Sequence, residues 1–127
     1  MPTVWNITER MEGSVTILHA AVRGLSIEQP AERLRLVAAI ENHVRDGYST
    51  ILLNLREAHY MDSEGLGEIV RGVTLARDAG GSLAVCELVP KIRDLFSITR
   101  LDSHIPIFQT EVEGVHALRQ NTSAHST

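Results

Sequence analysis

The segment Tyr60-Met61-Asp62-Ser63-Glu64-Gly65-Leu66-Gly67 places one hydroxyl between two carboxylates and follows it with two glycines. It stands just after a short apolar run and just before a helical one, the position at which α/β proteins carry functional groups. Asp62 or Ser63 can cap the helix, and Glu64 in its first turn suits the positive end of the helix dipole. A serine hydroxyl beside unpaired helical N–H groups is a setting that can hold a phosphate. Phosphorylation would add about −1.5 to −2 charge at pH 7, next to the like charges of Asp62 and Glu64. Such a group changes surface potential more than fold, which suits a switch in binding. A plain helix cap with no further role is the alternative, and on the residues alone it is the more ordinary reading, because helix caps are commonplace. Gly65 and Gly67 each weaken an early helical turn by roughly 1 kcal/mol relative to Ala. A bare backbone is therefore expected to be needed there, for tight packing or for close approach by something else.

The elements that must position this segment can be read from periodicity. Alternating segments at 4–9 and 15–20, separated by Glu12-Gly13, predict an antiparallel hairpin. Helical periodicity follows Pro30, with Leu36, Val37, Ile40 and Val44 on one face and Gly47 at the stop. Residues 50–55 form a nearly unbroken apolar run, the pattern of a strand buried on both sides in a parallel sheet. A helix over 66–78 closes at Gly80-Gly81, a buried strand covers 82–86, Pro90 opens a short helix, and 105–108 is a last strand. Thr110 and Glu113 make a capping box for a C-terminal helix holding Val112, Val115 and Leu118. Residues 121–127 are polar and expected to be a disordered tail behind a single domain spanning 1–120. Strands alternating with helices predict an α/β domain: a mixed sheet of four or five strands, flanked by about four helices, with the hairpin followed by parallel βα units.

Projected at about 100° per residue, the 66–78 helix turns Leu66, Ile69, Val70 and Val73 to the core. Leu75 then falls on the outward side beside Glu68 and Arg71, with Gly72 nearby. That grouping reads equally as a small docking patch or as ordinary surface.

Composition narrows the function classes. The 127 residues are 43% hydrophobic, 22% charged and only 4% aromatic, with a formal charge of −4. That balance fits a soluble domain with an aliphatic core and argues against nucleic-acid binding, which needs clustered Lys and Arg. No signal peptide or membrane span is recognisable, so a cytoplasmic protein is expected. The one cysteine, Cys86, excludes an internal disulfide framework and reads as a small core residue. The six histidines show no ligand spacing, so no metal site and no cofactor is expected. A hydrolase built on Ser63, His59 and Asp62 lacks the G-x-S-x-G elbow, because Met61 stands two residues before Ser63. A phosphorelay receiver lacks its early acidic pair, and the sole lysine, Lys91, opens a helix. The expectation is a protein that is not an enzyme.

Three stretches together resemble the STAS domain of bacterial anti-sigma factor antagonists: Ile51-Leu52-Leu53-Asn54-Leu55, the Tyr60 to Gly67 turn, and Ala79-Gly80-Gly81. The later run from Val89-Pro90 through Leu95-Phe96 to Thr99-Arg100-Leu101 is similar to the family's P-x-V-x-x-L-F-x-x-T-G-L segment. The resemblance implies a STAS fold and a phosphorylation-switched binding module. Ser63 matches the serine phosphorylated by an anti-sigma factor that is itself a GHKL-type serine kinase. Asp62, Glu64 and Gly65 would support that site, and Glu68, Arg71, Gly72 and Leu75 would meet the partner. Unphosphorylated, such a protein sequesters the anti-sigma factor and so frees a sigma factor; phosphorylated, it lets go, and a phosphatase resets it. It would work without membrane insertion, as a monomer or weak homodimer. A STAS scaffold or transporter-associated subunit with an unmodified serine loop is the alternative. The chain departs from the pattern at Glu64, where Ser or Thr is usual, and at Arg100, where Gly is usual. It also lacks the Asp of a G-x-L-D motif in Arg23-Gly24-Leu25-Ser26-Ile27-Glu28, where Glu28 is the available acid.

Overall fold

The chain alternates strand and helix around one sheet in the computed structural model, which describes residues 4–23 and 36–125. Strands β1 (Val4–Glu12) and β2 (Val15–Arg23) form the antiparallel hairpin, in register from Val4 opposite Arg23 to Glu12 opposite Val15. Both strands run three residues past the expected ends. The charged residues Glu9, Arg10 and Glu12 lie exposed on β1 at the sheet edge, where charge is tolerated and discourages edge-to-edge pairing. Then come α1 (Leu36–Arg45), β3 (Thr50–Asn54), α2 (Ser63–Asp78), β4 (Ser82–Cys86), α3 (Pro90–Ile98), β5 (Ile107–Phe108) and α4 (Glu111–His125). The sheet order is β1-β2-β3-β4-β5, with every pairing after the hairpin parallel. This is the five-stranded mixed sheet with four helices that the periodicity predicts. Pro30 and residues 24–28 lie outside the described residues.

Each central strand is buried on both faces, which explains its unbroken apolar sequence. Ile51, Leu53, Leu83 and Val85 pack with Leu18 and Ala20 into one cluster, against Leu36 and Ile40 of α1, Ile69 and Ala76 of α2, and Ile92 and Phe96 of α3. Leu52, Ala84 and Cys86 point the other way, joining Val15 and Ile17 beneath Leu118 and Val115 of α4. Among the described elements, three helices therefore cover one face and α4 covers the other. Helices α1 and α2 end in the same way, with the amides of Tyr48 and Gly81 reaching back to the carbonyls of His43 and Ala76 around left-handed Gly47 and Gly80.

Two expectations shift at the C-terminal end. Only Ile107 and Phe108 join the ladder of β5, since Pro106 has no amide to donate; its carbonyl accepts from Val85. The backbone of α4 continues helical to His125, past the boundary at 121. A helix already nucleated by packing at Val115 and Leu118 extends at one hydrogen bond per added residue, even through polar sequence.

A polar network ties α4 to the strands. The Glu111 carboxylate accepts from Arg10 of β1 and from Asn54 Nδ2 (3.0 Å), and its Oε1 lies 2.9 Å from His19 Nε2 of β2. The Glu111 amide donates to Glu87 Oε2 (2.9 Å). Partial burial works to raise the Glu111 pKa, but the hydrogen bonds from Arg10 and Asn54 and the positive charge of Arg10 and His19 outweigh it, so the carboxyl titrates below its usual value.

Two outcomes follow. Arg100 sits in the left-handed region (φ 62°, ψ 18°), which costs an L-residue about 1–2 kcal/mol, part of it offset by glycine's greater unfolded-state freedom. Arg100→Gly should raise the melting temperature by a few degrees; an unchanged or lower value would contradict the strain. Because Glu111 stays charged to lower pH folded than unfolded, its stabilisation is complete at neutral pH and is lost as pH falls through about 4 and below. Thermal melts of Glu111→Gln between pH 6 and 3 should show a shallower acid decline than the parent protein.

Candidate functional site

The loop from β3 to α2 is pinned at several points. Asn54, at the carboxyl end of β3, is buried; its Oδ1 accepts from the Arg56 amide (2.9 Å) while its Nδ2 is held by Glu111. The Leu55 amide donates to Cys86 O (3.0 Å), the Val22 amide donates to Glu57 O (3.2 Å), and Ala58 pairs with Val22 in an isolated parallel bridge. Leu55, Ala58 and Met61 are buried, so the loop is fastened to the core from below.

Helix α2 starts three residues earlier than periodicity suggests, at Ser63, because its cap is Asp62. That residue is extended (φ −96°, ψ −178°), its Oδ1 accepts from the Gly65 amide (2.9 Å), and its carbonyl accepts from the Leu66 amide (3.1 Å). Asp62 thus takes the capping role that sequence left open between it and Ser63. Ser63 becomes the first helical residue, exposed, with exposed Glu64 beside it. Gly65 is buried in the face that packs on the core.

The outward face of α2 differs from its projection. The buried stripe is Gly65, Ile69, Gly72 and Ala76, spaced i, i+4, i+7, i+11. Leu66 and Val73 flank it, whereas Val70 is 41% exposed and not in the core. Gly72 does not belong to a docking patch: a Cβ there would lie 2.4 Å from Ile40 Cδ1, so the glycine lets α1 and α2 approach closely. Leu75 packs against the core cluster. Glu68 is half-buried and engaged, accepting from the Trp5 indole (2.9 Å) and more weakly from the Val37 amide (3.4 Å). Arg71 is exposed as expected. Ser63, Gly67, Val70 and Thr74 form one exposed stripe, again at i, i+4, i+7, i+11, beside exposed Glu64 and Arg71. The projection erred because it counted only large apolar residues; including glycine and alanine as core positions recovers the stripe. The tie from Trp5 to Glu68 spans 63 residues and left no local signal.

The His59 side chain is largely exposed and lies 3.9 Å from Glu57, a long contact. Burial, with the nearby charges of Glu87 and Glu111, pushes the Cys86 thiol up to about 12, so it stays protonated and behaves as a core residue. No group of three or more His, Cys, Asp or Glu side chains that could hold a metal ion occurs among the described residues, and no described helix is long and apolar enough to cross a membrane.

Comparison with known proteins sets this geometry in a family. The STAS domain model matches residues 27–114. Over 68 residues the chain is 35% identical to the anti-sigma F factor antagonist of Paenibacillus polymyxa, covering 54% of this chain and 58% of that protein, so it spans less than two thirds of that relative. Over 91 residues it is 30% identical to BtrV, a candidate anti-sigma factor antagonist of Bordetella bronchiseptica, covering 72% of this chain and 77% of that one. The crystal structure of a candidate anti-sigma factor antagonist from Thermotoga maritima superposes with a TM-score of 0.76 at 26% identity, over 89% of this chain and 94% of that one. The Bacillus cell fate determinant SpoIIAA in its phosphorylated form shares the fold, with a TM-score of 0.64 at 20% identity over 88% and 98% of the two chains. With the family model covering α1 through the start of α4, and the serine turn inside it, the chain belongs to the STAS domain family.

Proposed function

We propose that this chain is an anti-sigma factor antagonist, a cytoplasmic binding module without catalytic turnover, switched by phosphorylation of Ser63. The observation that carries this reading is the exposure of Ser63 at the first position of α2, with Asp62 occupied as the cap. Its hydroxyl is not needed to hold the helix, so modification leaves the cap intact. A phosphate there gains about 0.3–1 kcal/mol from the helix dipole and is opposed by Asp62 and Glu64, so the fold is little affected. Within a desolvated interface the same dianion is far more disruptive, and each 1.4 kcal/mol of penalty weakens binding about tenfold.

The partner is a GHKL-type anti-sigma factor that doubles as a serine kinase, and a phosphatase acting on phospho-Ser63 restores binding. A specific observation supports a second reading: the Glu64 carboxylate is exposed beside the acceptor, a standing negative charge that suits an unmodified STAS scaffold or transporter-associated subunit.

Intact-mass measurement after incubation with ATP and each GHKL-type anti-sigma kinase of the source organism separates the two. The switch predicts one added phosphate that maps to Ser63, persistent kinase binding by Ser63→Ala and at least tenfold weaker binding by Ser63→Asp. No modification by any kinase, with both variants binding like the parent protein, would sink the switch and leave the scaffold.

A further inference from the structure

We propose that the groove between α1 and α2 receives a lysine- or arginine-bearing segment of the partner that engages Ser63, and that Gly67 is bare so that this segment can lie against the helix. The inference rests on the reading of Ser63 as the partner-facing residue and extends it to a second point of contact. The groove, about 420 Å³ in volume, is walled by Glu41 of α1 and by Glu64, Glu68 and Arg71 of α2, over a floor that includes Ala38 and Gly67. Among the described residues, three carboxylates and one guanidinium line it. Glu68 is held in place by Trp5 and Val37, while Glu41 and Glu64 are exposed. A long basic side chain suits such a surface, because its aliphatic stem can cover the small apolar floor while its head meets the carboxylates.

Gly67 ties the groove to the phosphoacceptor. It lies one turn beyond Ser63 on the same face and also borders the groove. Among the described residues, a Cβ at Gly67 would meet no packing neighbour within 4 Å, in contrast to Gly72, where it would strike α1. Nothing among the described residues requires a glycine at this position, although glycine weakens a helix relative to alanine. Close approach by a body outside the chain accounts for it, and a protein seated at Ser63 reaches both Gly67 and the groove.

The test uses the full chain and the GHKL-type kinase that binds it. Gly67→Ala should melt a few degrees higher yet bind the kinase at least tenfold more weakly. Glu41→Lys, on α1 and outside the serine loop, should keep its melting temperature, lose at least tenfold in affinity and show a weaker salt dependence. Binding equal to the parent protein by both variants, while Ser63→Asp still releases the kinase, would overturn the groove and leave the switch standing. Indifference of binding to Ser63→Asp would instead remove the switch and this inference with it. Amide shifts at Ala38 and Gly67 that grow with protein concentration, kinase absent, would assign the groove to a second copy of the chain and contradict the basic-partner assignment.

Discussion

β3 lies between two parallel neighbours, with a three-helix layer over one face and α4 over the other, so its side chains are buried from Ile51 through Asn54. A strand so enclosed has one direction in which its chain can emerge, and the exit is guarded by Asn54, whose amide group is satisfied by Glu111 and by the Arg56 amide. An unpaired buried amide there would cost about 1–3 kcal/mol, so the network works as a clamp on the start of the loop. From that clamp to Asp62 the loop is fastened again through Ala58 and Met61, and Asp62 then turns it into α2. Ser63 reaches the surface because everything before it is held.

Much of this was legible in the sequence, for physical reasons that differ by element. β3 and β4 carry apolar side chains toward both faces, and that leaves an unbroken run that few other structures produce. The Schellman ends of α1 and α2 need left-handed residues, and Gly47 and Gly80 marked them. The surface of α2 is not legible from hydropathy because two of its core positions, Gly65 and Gly72, are glycine, which hydropathy counts as neutral although packing treats it as interior. Contacts across long sequence separation, Trp5 with Glu68 and Arg10 with Glu111, have no periodic signature at all. Arg100 is a different case: its departure from the family's glycine was visible, and the backbone shows that the left-handed conformation is kept while the residue is not.

The electrostatics of the site favour a change in recognition over a change in structure. Asp62 turns its side chain to the Gly65 amide, Glu64 is exposed, and the buried polar side chains among the described residues, Thr16 and Asn54, lie on β2 and β3 and carry no charge. Solvent on the outward side screens the interaction between a phosphate and its acidic neighbours. The same charge inside a protein interface loses that screening, which is why a modification nearly neutral for the free protein can decide whether a complex forms.

The most direct measurement compares amide spectra of the isotope-labelled protein with and without phosphate on Ser63. The account predicts shifts confined to residues 62–67, with β3, β4 and the Gly65 cap retained. Changes spreading through β3 and α1, or loss of the Gly65 amide's protection, would mean that the phosphate refolds the site, and would contradict a serine presented on an already completed helix.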